Sequence, residues 1–228
     1  MQPSSTFRSN ISSTDSASST AATPSNCTEH GGFVLNFDDI PALSADNNST
    51  VTPMPIFSPY HHFYFSEGFM VVPPPTDPYL PSSGKLLLEF FPTVDQKSTE
   101  LSYTGSVGNG PTETLTCFNF NLLGVSLGCD SLDAECDWQF TGYRYDSKMK
   151  FTEIITTLHI STPACVGISA AETCVLIPVK LNHTFENLTS ISINVTVSGE
   201  SKIWWMDDLR LSWNDDSCDA GLCRQKNI

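Results

Sequence analysis

The sequence predicts an all-β chain, folded in one domain as a sandwich or barrel of antiparallel strands. Short runs rich in Val, Ile, Phe, Tyr and Thr recur along it, separated by Gly, Pro, Asn and Asp turns. No segment sustains a 3.6-residue apolar period, so at most one short helical turn is expected, in "SLDAECDWQF". Eight cysteines with short spacings and no CxxC pair suit a disulfide-stapled extracellular domain better than a zinc site.

Residues 1–30 are Ser- and Thr-rich and nearly free of large apolar side chains, which predicts a disordered tail or an O-glycosylated linker. The sandwich domain is expected over residues 31–217. Its candidate strands begin with "FVLNFD", "FYFSEGFMVV", "KLLLEFF", "ELSYTGSV" and "LTCFNFNLLGVSL". They continue with "WQFTGYRY", "FTEIITTLHIS", "TCVLIPVKL", "SISINVTV" and "IWWMDDLRLSW". Five prolines make "VVPPPTDPYLPSSG" an extended surface loop rather than a central strand. Residues 218–228 read as a disulfide-closed tail. The chain opens without an apolar signal core, which predicts a trimmed piece of a longer secreted protein or a misplaced start. No apolar run approaches membrane-spanning length.

With 25 acidic and 11 basic residues the formal charge is −14, which argues against nucleic acid as a partner and is compatible with cation binding or with plain solubility. Seven sequons, at Asn10, Asn26, Asn47, Asn48, Asn182, Asn187 and Asn194, predict an N-glycosylated protein that is secreted, extracellular or held at a cell-wall surface. In "ISINVTV" the alternation of Ile191, Ile193, Val195 and Val197 turns Asn194 to the solvent face. Short loop closure pairs Cys129 with Cys136, Cys165 with Cys174 and Cys218 with Cys223, leaving Cys27 for Cys117 by elimination.

The last strand raises a separate question. Strict alternation puts Ile203, Trp205, Asp207, Leu209, Leu211 and Trp213 on one face, so Asp207 falls in register with the core. The first strand repeats this with Phe33, Leu35, Phe37 and Asp39, and with Asp38 opposite. A buried carboxylate must be neutralised, paired or bound to a cation. Two readings stand: Asp39 and Asp207 share a Ca²⁺ between neighbouring terminal strands, or each caps backbone N–H groups at a bulge or turn.

"GGFVLNFDDIP" and "IWWMDDLRLSW" resemble the opening and closing strands of jelly-roll domains of the galactose-binding type, including carbohydrate-binding modules. The stretch "SPYHHFYFSEGFMVVPPPTDPYLPSSGKLLLEF", with the closing "CDAGLCR", resembles a family of secreted fungal domains of uncharacterised function. The resemblance implies a two-sheet jelly-roll sandwich and a structural Ca²⁺ joining the terminal strands. Its ligands would be Asp38 or Asp39 and Asp207 or Asp208.

For function, Tyr60, Trp138, Tyr143, Tyr145 and Trp204 are candidates for a platform on which sugar rings stack. An enzyme reading, a polysaccharide hydrolase or lyase, rests on Glu89 and Glu153, which would have to face each other across a cleft. His61 and His62 are adjacent and point to opposite sides if extended, so they do not readily chelate one ion. Nucleophile-elbow, zincin and phosphate-loop motifs are absent. The expectation is a non-catalytic extracellular module that binds cell-wall polysaccharide or another glycan. A purely structural or adhesive surface domain is the further alternative. Nothing in the sequence sets an oligomeric state.

Overall fold

The structure, a computed structural model, describes residues 29–41, 53–72, 78–94, 101–165 and 174–227. Most of the predicted tail, Cys27 and the sequons at Asn10, Asn26, Asn47 and Asn48 lie outside the described residues. The first half supplies short strands: β1 (Gly32–Leu35), β2 (Met54–Pro55), β3 (Tyr64–Phe65), β4 (Phe69–Val72), β5 (Tyr79–Leu80), β6 (Leu87–Phe90), β7 (Thr93–Val94), β8 (Leu101–Ser102) and β9 (Gly105–Gly108). The second half adds β10 (Phe120–Cys129), β11 (Cys136–Asp146), β12 (Phe151–Thr162), β13 (Cys174–Val175), β14 (Ile177–Lys180), β15 (Ser190–Val197), β16 (Glu200–Ser201) and β17 (Trp204–Trp213), followed by the helix α1 (Cys218–Lys226).

Two antiparallel sheets form a jelly-roll sandwich. The larger runs β14-β10-β17-β6-β4-β2 with β1 beside β17, and the smaller runs β12-β11-β15-β9-β3 with β16 beside β15. The first and last strands therefore do lie side by side, from Gly32 opposite Ser212 to Leu35 opposite Leu209. Inner faces interlock through aromatics: Trp138 on β11 meets Trp204 on β17 edge-on, with ring centroids 5.9 Å apart. Fully burying a large apolar side chain stabilises by about 1.5–3 kcal/mol, so this layer dominates the fold. The run "FYFSEGFMVV", expected as one strand, is two. The chain turns at Gly68, where φ is +98°, and β3 and β4 enter different sheets.

A β-bulge corrects the predicted faces of β17. Gly124 pairs with Arg210 but Ser126 pairs with Asp207, so Asp208 and Leu209 together face Val125. Asp208 takes φ +49°, a left-handed conformation that Asp tolerates better than most residues. Alternation changes phase there. Trp204 and Met206 point into the inter-sheet core before the bulge, and Leu209, Leu211 and Trp213 do so after it. Trp205 and Asp207 lie on the outer side of the sheet. Trp205 is buried there in a small second cluster with Val72, Tyr79, Leu87, Leu176 and the Cys165–Cys174 bridge.

The C-terminal segment also departs from expectation. It forms a helix whose start is capped by Ser217, its hydroxyl accepting from the Ala220 N–H at 3.3 Å. Cys223 on that helix pairs with Cys117, not with Cys218, so both the Cys218–Cys223 and Cys27–Cys117 pairings are overturned. Nine residues present too little apolar period to announce a helix, and short spacing misled because Cys218 and Cys223 sit on one helix rather than in a loop. Cys129–Cys136 and Cys165–Cys174 form as predicted. No helical turn forms in "SLDAECDWQF"; bends there lead into β11.

Candidate functional site

Register places a polar array on the outer face of the smaller sheet. The inward residues of β11 and β15, such as Trp138, Phe140, Ile193 and Val195, belong to the core, so their alternates face out. Asp137, Gln139 and Thr141 of β11 stand opposite Thr196, Asn194 and Ser192 of β15. On the other side of β11 they stand opposite Ser161, His159 and Thr157 of β12. Of these nine side chains Thr141 and Ser192 are buried and the other seven reach the surface; only Asp137 is a formal charge with histidine neutral, in a protein of net charge −14.

The next row sets two tyrosines on that face. Tyr64 of β3 pairs with Gly108 of β9, Gly108 pairs with Ser190 of β15, and Ser190 pairs with Tyr143 of β11. Two tyrosines are thus separated by three strand spacings, about 14 Å, with glycine and serine between them. A β-carbon on Gly108 would lie 2.5 Å from Ser190 Cβ, so the row admits no larger residue there. Ser106 and Ser192 are paired across β9 and β15. Gly108 and Ser192 are buried, and Ser106 and Ser190 are partly accessible. The Tyr143 hydroxyl is 3.3 Å from Ser192 Oγ, which fixes that ring beside it.

Of the five predicted platform aromatics, Tyr143 and Tyr145 lie half-buried on this face. The other three do not. Trp138 and Trp204 are 1% and 0% exposed because both fall on inward registers. Tyr60 is 2% exposed, stacks on Phe37 at 5.6 Å and donates its hydroxyl to Asp39 Oδ1 at 2.5 Å.

The four predicted metal-ligand aspartates divide into two groups. Asp38, Asp207 and Asp208 close on the turn Ser83–Leu86, while Asp39 turns away to Tyr60 and to His61, whose Nε2 lies 2.6 Å from its Oδ2. Asp207 is fully buried. Its Oδ2 accepts from the Ser83 N–H at 3.0 Å and its Oδ1 from the Asp208 N–H at 2.7 Å. Asp208 accepts from the Ser83 hydroxyl at 2.6 Å, and Asp38 Oδ1 accepts from the N–H groups of Lys85 and Leu86 at 2.6 and 3.1 Å. Burial pushes the Asp207 carboxyl up to about 6 despite these N–H donors, and the Asp208 charge adds to the rise. Among the described residues no group of three or more His, Cys, Asp or Glu side chains is arranged to hold a metal ion.

Glu89 and Glu153 stand on different sheets, β6 and β12, and do not face each other across one sheet surface. Glu89 is opposite Trp205, and burial, with the Asp130 charge, raises its carboxyl to about 7. Glu153 is ion-paired with Arg144 at 3.5 Å. His61 and His62 form a two-residue hairpin turn, both with positive φ, and reach separate carboxylates, Asp39 and Glu29. Among the described residues no helix is long and apolar enough to cross a membrane.

A family model described as a domain of unknown function, DUF7371, matches residues 29–224. The chain belongs to the DUF7371 family. No curated protein matches it. Among solved structures, the DUF7371 domain is similar to the CBM22-1 xylan-binding domain of Paenibacillus barcinonensis Xyn10C, at 10% identity over 83% of this chain and 98% of that one, with a TM-score of 0.43. It is also similar to the K1 cleaved adhesin domain of Lys-gingipain from Porphyromonas gingivalis W83, at 9% identity over 81% and 99% of the two chains, TM-score 0.38. A third likeness is to the CBM22-1–GH10 modules of Clostridium thermocellum Xyn10B with xylohexaose, at 11% identity over 68% and 26%, TM-score 0.31.

In the DUF7371 domain the residues that sequence reasoning missed are Tyr64, Gly108 and Ser190. The signal for Tyr64 was available, since in "FYF" it alternates with the core residues Phe63 and Phe65. The signal for the row was not, because it depends on the register of four strands far apart in the chain.

Proposed function

We propose that this is a non-catalytic extracellular module that binds a neutral polysaccharide along the outer face of its smaller sheet. The observation that carries the reading is the row Tyr64–Gly108–Ser190–Tyr143: two half-buried tyrosines stand on one outer sheet face with small residues between them, beside the accessible hydroxyls and amides of Thr157, Ser161, Thr196, Gln139 and Asn194. Sugar rings present apolar faces that suit tyrosine and rims of hydroxyls that suit serine, threonine, asparagine and glutamine. The near absence of charge on the array suits a neutral chain over a charged one. The paired cysteines support an oxidising, extracellular setting. The test is retention on insoluble xylan, cellulose, β-1,3-glucan and chitin, using protein made without N-glycans. Tyr64→Ala and Tyr143→Ala should each weaken binding about tenfold, the equivalent of about 1.4 kcal/mol, with melting temperatures unchanged within a few degrees. Retention of neither wild type nor variants on any of the four would overturn the reading.

The second part of the reading is a structural Ca²⁺ at the corner of Asp38, Asp207 and Asp208. Its support is charge: three carboxylates close on one turn against one ion-pair partner among the described residues, the Arg210 guanidinium 3.6 Å from Asp208. The carboxylates are engaged by N–H and hydroxyl donors rather than grouped around an ion, so binding would require them to converge. The ion would use carboxylate lone pairs left over by the backbone N–H donors and would tie the Ser83–Leu86 turn to β17. Melting with calcium against melting with chelator is the test.

A further inference from the structure

Building on that sugar-binding reading, we infer that the sequon at Asn194 is a built-in switch: an N-glycan attached there lies over the outer face of the smaller sheet and excludes other polysaccharide. Asn194 belongs to the polar array itself. It follows Ser190 and Ser192 on the outer side of β15 and stands opposite the exposed Gln139. Residues two apart on a strand are separated by about 7 Å, and neighbouring strands by about 4.8 Å. The first sugar attached to Nδ2 therefore stands within one ring's width of Gln139, an exposed side chain that an incoming polysaccharide would contact.

The Asn194 Oδ1 is buried without a hydrogen-bond partner, whereas Nδ2, the atom that would bear the glycan, is not among the buried unpaired atoms. Asn194 is partly accessible as a residue, so the bond to the glycan requires no unfolding of β15. The other two described sequons differ. Asn182 is exposed, and its Oδ1 accepts from the hydroxyl and N–H of Thr184 in a loop away from the row. Asn187 Oδ1 accepts from Asn119 Nδ2 at 2.7 Å, beyond the end of β15. Among the described sequons only Asn194 has a place in the polar array. The occupant is the protein's own glycan, and it has the chemistry for which the face is suited.

The experiment uses full-length chain secreted from a glycosylating host. Wild type and Thr196→Ala, which removes the sequon and keeps the Asn194 amide, are each made with and without N-glycans, so that loss of the Thr196 hydroxyl from the polar array is measured on its own, and Thr196→Ser, which keeps both sequon and hydroxyl, is made with them. Glycopeptide mass mapping reads occupancy at Asn194, and retention on the four insoluble polysaccharides reads binding. We expect Asn194 occupied in wild type and in Thr196→Ser, with retention at least tenfold weaker than for Thr196→Ala. Trimming wild type to a single N-acetylglucosamine should restore part of the difference. Equal retention of occupied wild type and Thr196→Ala overturns the switch while leaving the sugar-binding reading intact. An unmodified Asn194 in the secreted wild type also overturns it. Failure of wild type made without N-glycans to bind any of the four, with Asn194 occupied in the glycosylated form, overturns both readings and is distinguished from the other outcomes by that form alone.

Discussion

The Asp38 carboxylate occupies the space that a β-carbon on Gly84 would need: an ideal Cβ there would fall 1.6 Å from Asp38 Oδ2. Gly84 also has φ +59°. The turn that carries Ser83 to Asp207 and Lys85 to Asp38 is therefore formed around a residue that must be glycine. Gly84→Ala should cost about 2–4 kcal/mol, combining backbone strain with displacement of a hydrogen-bonded carboxylate. Gly199→Ala is the control, since Gly199 has φ +83° but nothing within 4 Å of its missing Cβ, so only the strain remains, about 1 kcal/mol. Equal losses in chemical denaturation would mean that the carboxylate moves aside freely.

Comparing these turns with the sequence shows where legibility ends. The long strands β11, β12, β15 and β17 were visible because a period of two persists over eight to twelve residues. The buried state of Asp207 was visible too, but its reason was misassigned. A one-residue bulge at Asp208 shifts the phase of every later side chain, and no local composition marks it apart from Asp itself. The row from Tyr64 to Tyr143 was half visible: Tyr143 stands in an evident strand, whereas Tyr64 sits on a two-residue strand. Pairing across β3, β9, β15 and β11 is set by packing of the whole sandwich, which single-strand periodicity does not encode.

The disulfide pattern yields the next prediction. Cys218 is disulfide-bonded and no cysteine is free among the described residues. With six other cysteines in the three pairs above, elimination from the eight in the sequence leaves Cys27 as its expected partner. Peptide mapping without reduction should recover a Cys27–Cys218 link, and a peptide joining Cys27 to any other cysteine would refute it. The Cys117–Cys223 bridge spans 106 residues and Cys165–Cys174 spans 9. Loop-closure entropy makes the long bridge worth about 2 kcal/mol more. Replacing each pair by serine should reproduce that order in denaturant midpoints.

Arg224 binds the chain ends in a way that lysine cannot imitate. It is fully buried, lies 4.5 Å above the Trp213 ring, and donates to the carbonyls of Cys117, Glu29 and Asp215 at 2.6, 2.7 and 3.1 Å. Burial lowers its pKa, and the Glu29 charge opposes the change. Lysine keeps the charge but loses the planar fork and stacking. Arg224→Lys should lose about 2–4 kcal/mol and Arg224→Met no less, because carbonyls would be left unpaired. Full stability in Arg224→Lys would reduce the residue's role to charge alone.

Asp207 gives a pH prediction whose sign also tests calcium. Its folded value of about 6 lies above the ordinary 3.8, so the folded protein holds that proton more tightly than the unfolded chain does. The resulting stability is fully present below pH about 4 and is lost as pH rises through about 6. Glu89, raised from 4.5 to about 7, acts in the same sense, whereas Asp39, Asp146 and Asp215 are lowered and act oppositely. The difference between wild type and Asp207→Asn isolates the single group. In chelator, the variant should gain on wild type by on the order of 2 kcal/mol between pH 4 and pH 7. Any fixed loss from replacing an accepting oxygen with an amide N–H is the same at both ends. Calcium binds the ionised carboxylate, so a hundredfold excess over its dissociation constant should add about 2.7 kcal/mol to wild type at pH 7. That corresponds to about 5–10 °C for a chain of this length, with much less at pH 4 and in Asp207→Asn. A pH-dependent gain in the variant with no calcium effect on wild type would identify the three aspartates as caps of the Ser83–Leu86 turn and remove the ion from the proposed function.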